Sequence, residues 1–417
     1  MKQRTSRALL LGIPSLAAAL MAACGGSSDG STAPAPAANA KYQGVFASGS
    51  ERGTISLQAG SPATGSLVLG TSPAVALTGS YTAATSAFAL SGGGYAVQGT
   101  AANNAVTGTV SGTGINGTGT MSAVSAATAE ATTRYCGVFM GGDAGMADII
   151  VSGGVAAASI TGMGGGFGMF GTASGSSVTL SVTGKEPGTG KTNTITARLT
   201  VSGSTISGSG SSTLYPNDNV TVTASTSGCV AAAAAGPFTS YVGFAGNNGV
   251  TGLLQLNATS PATGSIKWNG GTTTALSGTY DAATGKFAVT GTDNVTITAT
   301  ASGMSLTGAI SGPPKPYGGA SVWAMGANAA TPVSRYCGAT AGGLAGTVIL
   351  LSGGSNTLGL WINSGGSILL NGSGGNGWVY AAGGTQMYFA ATGSGASYAG
   401  TYAHVNGAAG SWSVSGC

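Results

Sequence analysis

The chain has 417 residues, of which 78 are glycine and only 5% are charged, and its formal net charge is +4. Helical bundles are rich in Leu, Glu and Lys, collagen needs glycine at every third position, and disordered chains combine high charge with few β-branched residues. None of these descriptions fits, so the composition favours an exported all-β protein with many glycine-rich turns.

The first 23 residues predict an export signal. An apolar stretch at 9–19 follows three basic residues, and it is too short and too rich in alanine for a permanent membrane span. Loss of the signal removes Lys2, Arg4 and Arg7, which leaves 10 of the 13 bases against 9 acids. A chain so close to neutral is not expected to bind nucleic acid or anionic lipid through a basic patch.

The end of this signal carries a modification motif. The run Leu20-Met21-Ala22-Ala23-Cys24 resembles the lipobox of bacterial lipoproteins, whose cysteine is lipidated and becomes the mature N-terminus. The resemblance implies lipidation of Cys24 and attachment to the membrane through that lipid. Gly25 in the next position implies sorting to the outer membrane if the host is Gram-negative. The Gly, Ser, Pro and Ala that follow predict a flexible tether over 24–41.

The rest of the chain contains an internal duplication. Ser61-Pro62-Ala63-Thr64-Gly65-Ser66 returns 199 residues later at 260–265. Arg134-Tyr135-Cys136-Gly137 returns as Arg335-Tyr336-Cys337-Gly338. The sequence therefore predicts two lobes. A Tyr-x-Gly signature divides each lobe again, because it opens four segments at Tyr42, Tyr135, Tyr241 and Tyr336.

The local pattern in these segments is that of β-strands. Apolar residues alternate, as at Ile55/Leu57 and Leu254/Leu256, and turn residues interrupt the runs. About eight strands per segment, joined by short loops, predict tandem antiparallel meander modules, either small up-and-down barrels or flattened sandwiches. The many small residues at inward positions favour the flattened form. The predicted domains are a signal peptide at 1–23, the lipidated tether at 24–41, β-modules at 42–133 and 134–230, a linker at 231–240, and β-modules at 241–333 and 334–417.

Four cysteines remain after Cys24, and four cysteines allow three pairings. Export places them in an oxidising compartment, so disulfides are expected. The repeat symmetry favours Cys136–Cys229 and Cys337–Cys417. Each bridge would join the start of a module to its end and so close the second and fourth modules.

Several groups resemble chemical sites, and each has a simpler structural explanation. Lys185 to Thr192 resembles a phosphate-binding loop, but Lys185 stands where that motif needs glycine and an alternating strand follows instead of a helix. The other groups are the methionines Met140, Met146, Met163 and Met169, the single histidine His404, and the aspartate pairs Asp143/Asp148 and Asp281/Asp293. We expect core packing, turn caps and loops from these groups, and therefore no catalytic residues, metal or cofactor.

All five tryptophans lie in the second lobe, at Trp268, Trp323, Trp361, Trp378 and Trp412. Exposed aromatic rings on a sheet can stack on sugars, whereas buried ones fill space opposite glycine. They are the candidate ligand-binding residues of the chain, with core filling as the competing explanation.

The sequence thus predicts a non-enzymatic lipoprotein of the cell envelope, displayed at the surface for binding or adhesion or serving a structural role. Its partner would be a host or cell-surface protein or a glycan. The alternatives are a glycan-binding module that uses the second-lobe aromatics and a scaffold that faces the periplasm. The two-lobed, all-β plan is similar to that of the transferrin-binding-protein-like surface lipoproteins. This likeness is architectural, since the chain carries none of their motifs.

Overall fold

The computed structural model describes residues 39–417 apart from 49–50, 70–72, 103, 114, 116–117, 127–132, 153, 163–164, 187–189, 230–236, 247–249, 270, 313–319 and 384–386. The predicted signal peptide, Cys24 and most of the predicted tether and linker lie outside the described residues. No helix in the described part is long and apolar enough to span a membrane.

Within these residues the chain forms 32 strands arranged as four closed barrels of eight. Barrel 1 contains β1 (Lys41–Ser48), β2 (Glu51–Gln58), β3 (Ala63–Leu69), β4 (Val75–Thr82), β5 (Ala87–Gly92), β6 (Tyr95–Ala102), β7 (Ala105–Gly112) and β8 (Gly119–Ser125). Barrel 2 contains β9 (Thr133–Gly141), β10 (Gly145–Ser152), β11 (Val155–Gly162), β12 (Gly165–Ser174), β13 (Ser177–Lys185), β14 (Thr192–Ser202), β15 (Thr205–Ser212) and β16 (Val220–Ser225).

The second lobe repeats this plan. Barrel 3 contains β17 (Ser240–Gly246), β18 (Thr251–Asn257), β19 (Ala262–Trp268), β20 (Thr273–Asp281), β21 (Lys286–Gly291), β22 (Thr296–Ser302), β23 (Ser305–Ser311) and β24 (Ala320–Ala327). Barrel 4 contains β25 (Ser334–Gly342), β26 (Gly346–Gly353), β27 (Asn356–Asn363), β28 (Gly366–Gly375), β29 (Trp378–Gly383), β30 (Met387–Gly393), β31 (Ser397–His404) and β32 (Ala409–Gly416). The prediction of an all-β chain built from tandem antiparallel meanders is confirmed.

Each meander closes because its first strand pairs antiparallel with its last. The four closing pairs are β1 with β8, β9 with β16, β17 with β24, and β25 with β32. The structure therefore has closed barrels, the first of the two forms that the sequence left open. Closure gives every strand two hydrogen-bonded neighbours, so no barrel has a free edge among the described strands.

The glycine of each Tyr-x-Gly signature lies on the closing strand pair. Gly44, Gly137, Gly243 and Gly338 face Ala123, Ala224, Ala324 and Val414 in register. A methyl group at any of these glycines would overlap the neighbouring strand, at the carbonyl oxygens of Ser122, Thr223, Trp323 and Ser413. The signature therefore repeats because each barrel needs an inward position without a side chain where its two ends meet.

Aromatic rings fill the barrel interiors that small residues leave open. Tyr42 packs edge-on against Phe88 with ring centroids 5.8 Å apart, and Tyr241 packs in the same way against Phe287 at 5.6 Å. In barrel 4, Phe389 packs edge-on against a tryptophan ring. These rings supply the bulk that glycine and alanine lack, which explains how round barrels form despite the small inward residues.

The structure places the four cysteines of the barrels in two disulfides. Cys136 bonds Cys229 with Cα atoms 4.8 Å apart, and Cys337 bonds Cys417 with Cα atoms 5.7 Å apart. Cys136 and Cys337 each lie one residue before the inward-facing glycine of a Tyr-x-Gly signature, so their side chains point to the outside of the barrel. Each bridge therefore ties the first strand of barrel 2 or barrel 4 to the segment that follows its last strand.

The two lobes contact each other through barrels 2 and 4. Cys136, Val138 and Met146 of barrel 2 form one buried apolar cluster with Trp378 and Tyr380 of barrel 4. The indole N–H of Trp378 donates a hydrogen bond to the carbonyl oxygen of Gly228 at 3.0 Å. Gly228 directly precedes a disulfide cysteine, so the bridge of barrel 2 lies beside the contact between the lobes.

Candidate functional site

Within each lobe the two barrels pack through an apolar cluster, and the two clusters use equivalent positions. The cluster of lobe 1 contains Val45, Val124, Ile150 and Ala157. The cluster of lobe 2 contains Phe244, Met325, Leu351 and Leu358, together with Leu360. The strand registers support this equivalence, since Ile150 lies opposite Arg134 and Leu351 lies opposite Arg335. We call these two contacts the lobe 1 seam and the lobe 2 seam.

The lobe 1 seam is closed by small side chains. Ser122 and Ser159 are buried in it, and neither hydroxyl has a hydrogen-bonding partner among the described residues. A side chain at Gly168 would overlap the Oγ of Ser122. The two barrels of lobe 1 therefore approach so closely that this position accepts only glycine.

The lobe 2 seam carries large side chains at the same three positions. By register, Trp323 replaces Ser122, Leu360 replaces Ser159 and Leu369 replaces Gly168. Trp323 and Leu369 are partly buried and pack against the cluster that contains Leu360. The increase in volume prevents the close approach seen in lobe 1.

A cleft with a volume of about 130 Å³ lies beside Trp323, between barrels 3 and 4. It is lined by Ser305, Leu306, Thr307, Trp323, Ala324, Met325, Asn356, Leu358, Asn371, Gly372 and Ser373. None of these lining residues is charged. We call this space the lobe 2 cleft.

Two carboxamides distinguish the lobe 2 cleft from the corresponding part of lobe 1. Asn356 and Asn371 occupy the positions of Val155 and Phe170, which pack against the apolar cluster of the lobe 1 seam. In the part of the chain that the structure describes, neither asparagine side chain has a hydrogen-bonding partner. An apolar contact in lobe 1 has thus become a polar, open surface in lobe 2.

Four of the five candidate tryptophans are buried and have partners for their indole N–H groups. The exposed fraction is 8% for Trp268, 4% for Trp361, 2% for Trp378 and 3% for Trp412. The acceptors are Thr274 Oγ1 for Trp268, Thr340 Oγ1 for Trp361, the Gly228 oxygen for Trp378, and the Ala390 and Thr401 oxygens for Trp412. These four rings therefore present no open face to a ligand.

Trp323 differs from the other four. It is only partly buried, it lines the lobe 2 cleft, and no acceptor for its indole N–H occurs among the described residues. A buried indole N–H usually finds a hydrogen-bonding partner. Trp323 therefore offers both an aromatic face and a free donor at the same cleft.

The other groups that the sequence singled out do not converge on a site. Met169 is buried in the barrel 2 interior, whereas Met140 and Met146 lie at the contact between the lobes, and Met163 is outside the described residues. Lys185 and Thr192 end a β13–β14 hairpin, and 187–189 of that loop are outside the described residues.

Two of the polar candidates, His404 and Asp281, stabilise turns. His404 accepts a hydrogen bond at Nδ1 from the Asn406 backbone N–H at 3.1 Å. Asp281 accepts hydrogen bonds from Ala283 N at 2.9 Å and Thr284 Oγ1 at 2.6 Å. The Thr284 hydrogen bond is the main cause of a lowered pKa for Asp281.

One group of potential metal ligands, Cys136, Asp148 and Cys229, lies close together among the described residues. The two sulfur atoms are bonded to each other, so neither is a thiolate. Arg134 holds both carboxylate oxygens of Asp148, at 2.8 Å and 2.5 Å. The group is therefore a disulfide beside a partly buried ion pair and does not fit a metal ion.

Asn356 and Asn371 were not singled out by sequence reasoning. Taken alone, each is an ordinary polar residue near a strand or turn. The signal that could have found them is a comparison of the two lobes position by position, which aligns Asn356 with Val155 and Asn371 with Phe170. The same comparison aligns Trp323 with Ser122.

Comparison with known proteins gave no match to any family model and none to any curated protein. Among solved structures, the chain is similar to intact Ap-TbpB with its N and C lobes, at 9% identity and a TM-score of 0.17, over 75% of this chain and 84% of that one. It is also similar to the vaccine antigen Transferrin Binding Protein B from Haemophilus parasuis Hp5. A tryptophan-to-alanine mutant gives 9% identity and a TM-score of 0.17, over 76% of this chain and 84% of that one.

A double mutant of the Haemophilus parasuis protein gives 12% identity and a TM-score of 0.16, over 90% of this chain and 75% of that one. TM-scores this low do not align the chains as wholes. The function is therefore inferred from this chain's own residues.

Proposed function

We propose that this protein is a non-enzymatic lipoprotein of the cell envelope that displays its four barrels at the cell surface as a binding protein. The lipobox-like run ending at Cys24 supports the lipid anchor, and the Gly25 that follows supports an outer-membrane location in a Gram-negative host. The predicted tether would hold the barrels away from the lipid. Stable anchoring by this route needs more than one acyl chain.

The observation that carries the proposal is the difference between the two seams. Both lobes have the same strand order and equivalent contacts between their barrels, yet the lobe 1 seam is closely packed at Ser122 and Gly168 while a cleft lies beside the lobe 2 seam. The positions of Val155 and Phe170 carry Asn356 and Asn371 in lobe 2, and both carboxamides line the cleft. Binding sites combine apolar and aromatic side chains with a few polar groups, and the lobe 2 cleft contains both kinds.

The chemistry of the cleft supports binding without catalysis. Its side chains are hydroxyls, carboxamides, apolar groups and one indole. A hydroxyl becomes a nucleophile when a neighbouring base takes its proton, and the lining supplies no histidine, carboxylate or lysine for that purpose. These side chains can hold and orient a ligand, which is the role proposed here.

Surface display can be tested by treating intact cells with proteinase K and following the protein by immunoblot. We expect cleavage in the predicted tether and release of a folded fragment from intact cells. A periplasmic marker that stays intact is the control for cell integrity, and a Cys24→Ser variant should lose the surface signal. Protection in intact cells followed by digestion after lysis would contradict the proposal and favour a scaffold that faces the periplasm.

A further inference from the structure

We propose that the lobe 2 cleft binds one neutral sugar ring of a glycan, with Trp323 as the stacking surface and Asn356 and Asn371 as the hydrogen-bonding groups. This inference rests on the proposed binding function and names the class of its ligand. It follows from three properties of the cleft: its aromatic face, its unpaired neutral polar groups and its size.

The aromatic face comes from β24. Trp323 lies between Val322 and Ala324, whose side chains face the barrel 3 interior, so strand alternation directs the indole outward into the cleft. Sugar rings carry faces of C–H groups that pack against aromatic rings, and an indole combines a large apolar surface with one donor. The free N–H of Trp323 can therefore bond a hydroxyl at the edge of the same ring.

The polar groups match the hydroxyls of a sugar. A carboxamide offers two N–H donors and a carbonyl acceptor, and a serine or threonine hydroxyl both donates and accepts. Asn356 and Asn371 stand with Ser305, Thr307 and Ser373 around the cleft. Because sugar hydroxyls also donate and accept, this set can pair with several of them at once. A cationic side chain would favour a carboxylate or phosphate ligand, and the lining contains none.

The size of the cleft limits what it can hold. Sites for drug-sized ligands occupy roughly 300–1,000 Å³, whereas this cleft has a volume of about 130 Å³. It can hold one ring, and the rest of a longer glycan would extend into solvent. Of the lining residues, Ser305, Thr307 and Asn371 are exposed to the solvent.

The experiment uses the full mature lipoprotein in a zwitterionic detergent, because alkyl glycoside detergents would compete for the cleft. The probes are the methyl glycosides of glucose, galactose, mannose and N-acetylglucosamine, with sialyllactose as a charged comparator. Binding is measured by saturation-transfer-difference NMR and by titration of tryptophan fluorescence. We expect at least one neutral glycoside to bind and to change the emission of the protein.

Two variants test the site independently. Trp323→Ser installs the residue that lobe 1 has at the equivalent position, and Asn371→Ala changes an exposed side chain that the fold does not need. Each should weaken binding about tenfold, the loss expected for one stacking or hydrogen-bonding contact. Ser122→Ala in the lobe 1 seam is the matched control and should bind as the unmodified protein does.

The proposal is overturned if none of the neutral glycosides binds, if sialyllactose alone binds, or if both variants bind as well as the unmodified protein. Asn371→Ala keeps the test valid if Trp323→Ser disturbs the packing of the lobe 2 seam. These outcomes are separate from the protease experiment, since surface display can hold for a protein whose cleft takes another ligand.

Discussion

The glycines of the Tyr-x-Gly signatures show how one missing side chain can decide a fold. Gly338 lies in β25 and faces inward, and a methyl group there would overlap the carbonyl oxygen of Ser413 in β32. Gly416 lies on the same strand pair, and the nearest atom to a methyl group there would be 4.0 Å away. Both glycines lie on the closing strand pair of barrel 4, but only Gly338 lacks the space for a methyl group.

We therefore expect Gly338→Ala to destabilise barrel 4 by about 1–3 kcal/mol, the usual cost of excess volume in a packed interior. Gly416→Ala is the matched control and should change stability by less than about 0.5 kcal/mol. Differential scanning calorimetry of the full chain measures both. Equal melting temperatures for the two variants would show that the closing strand pair tolerates a side chain at Gly338 and that the Tyr-x-Gly signature has another origin.

The tryptophans show which properties of a single residue can be predicted from the sequence and which cannot. Trp323 was among the candidates, but sequence reasoning treated all five tryptophans alike. Strand alternation places Trp323 and Trp378 on outer barrel faces, which a closer reading of the pattern can recover. What it cannot recover is that barrel 2 covers Trp378 while Trp323 stays partly open. That distinction depends on contacts between barrels, which no local pattern encodes.

At the scale of elements, the two disulfides differ in their surroundings. Cys136 is 1% exposed and lies in the cluster that joins the lobes, and the partly buried Cys229 packs against the same cluster. Cys337 is only partly buried and Cys417 is exposed. The bridges join equivalent strands of the duplicated lobes, yet one is covered by a neighbouring barrel and the other faces solvent.

Because thiol–disulfide exchange requires access to a sulfur atom, a mild reductant should open Cys337–Cys417 before Cys136–Cys229. Timed reduction with dithiothreitol, alkylation and peptide mapping will give the order. A Trp378→Ala variant, which removes the largest side chain of the cluster that contains Cys136, should narrow the difference between the two reduction rates. Opening of Cys136–Cys229 first would mean that the contact between the lobes does not protect it.

The strands themselves were largely predictable, because alternation and turn residues are local signals. Closure was only one of two forms that the sequence left open, since it depends on pairings between distant residues, such as Gly44 with Ala123. The disulfide pairing came from repeat symmetry, with closure of the meander as its physical reason. The same symmetry, carried to every position, would also have drawn attention to Asn356 and Asn371.

At the scale of the whole molecule, each lobe has its own barrels, interiors and disulfide, and the lobes meet over one apolar patch. The interiors of barrels 3 and 4 are formed within 238–414. A chain of residues 237–417 should therefore fold alone. It should also expose Trp378 and Tyr380, which barrel 2 covers in the full chain.

For this isolated second lobe we expect a far-UV spectrum typical of β-sheet, a cooperative melt, and a fluorescence emission shifted to the red relative to the full chain. A Trp378→Phe version of the lobe is the control, since it should remove most of that shift. A product that melts without cooperativity would show that the lobes depend on a shared core.

The contact between the lobes also has a direction, because it joins unlike faces of two related barrels. Barrel 2 contributes Cys136, Val138 and Met146, and barrel 4 contributes the face around Trp378 and Tyr380. Unlike faces that recur on every unit can add partners without end and produce fibres. In this molecule barrel 4 also has the face that barrel 2 uses, and barrel 2 also has the face that barrel 4 uses, but both of these free faces carry polar or small side chains. Barrel 4 has exposed Ala339 and Thr347 at the positions of Val138 and Met146, and barrel 2 has Ser177 and Thr179 at those of Trp378 and Tyr380.

These four polar or small side chains leave neither apolar face at the outer ends of the molecule. The contact that joins the two lobes therefore has no matching surface with which to repeat from one molecule to the next, and the series ends at four barrels.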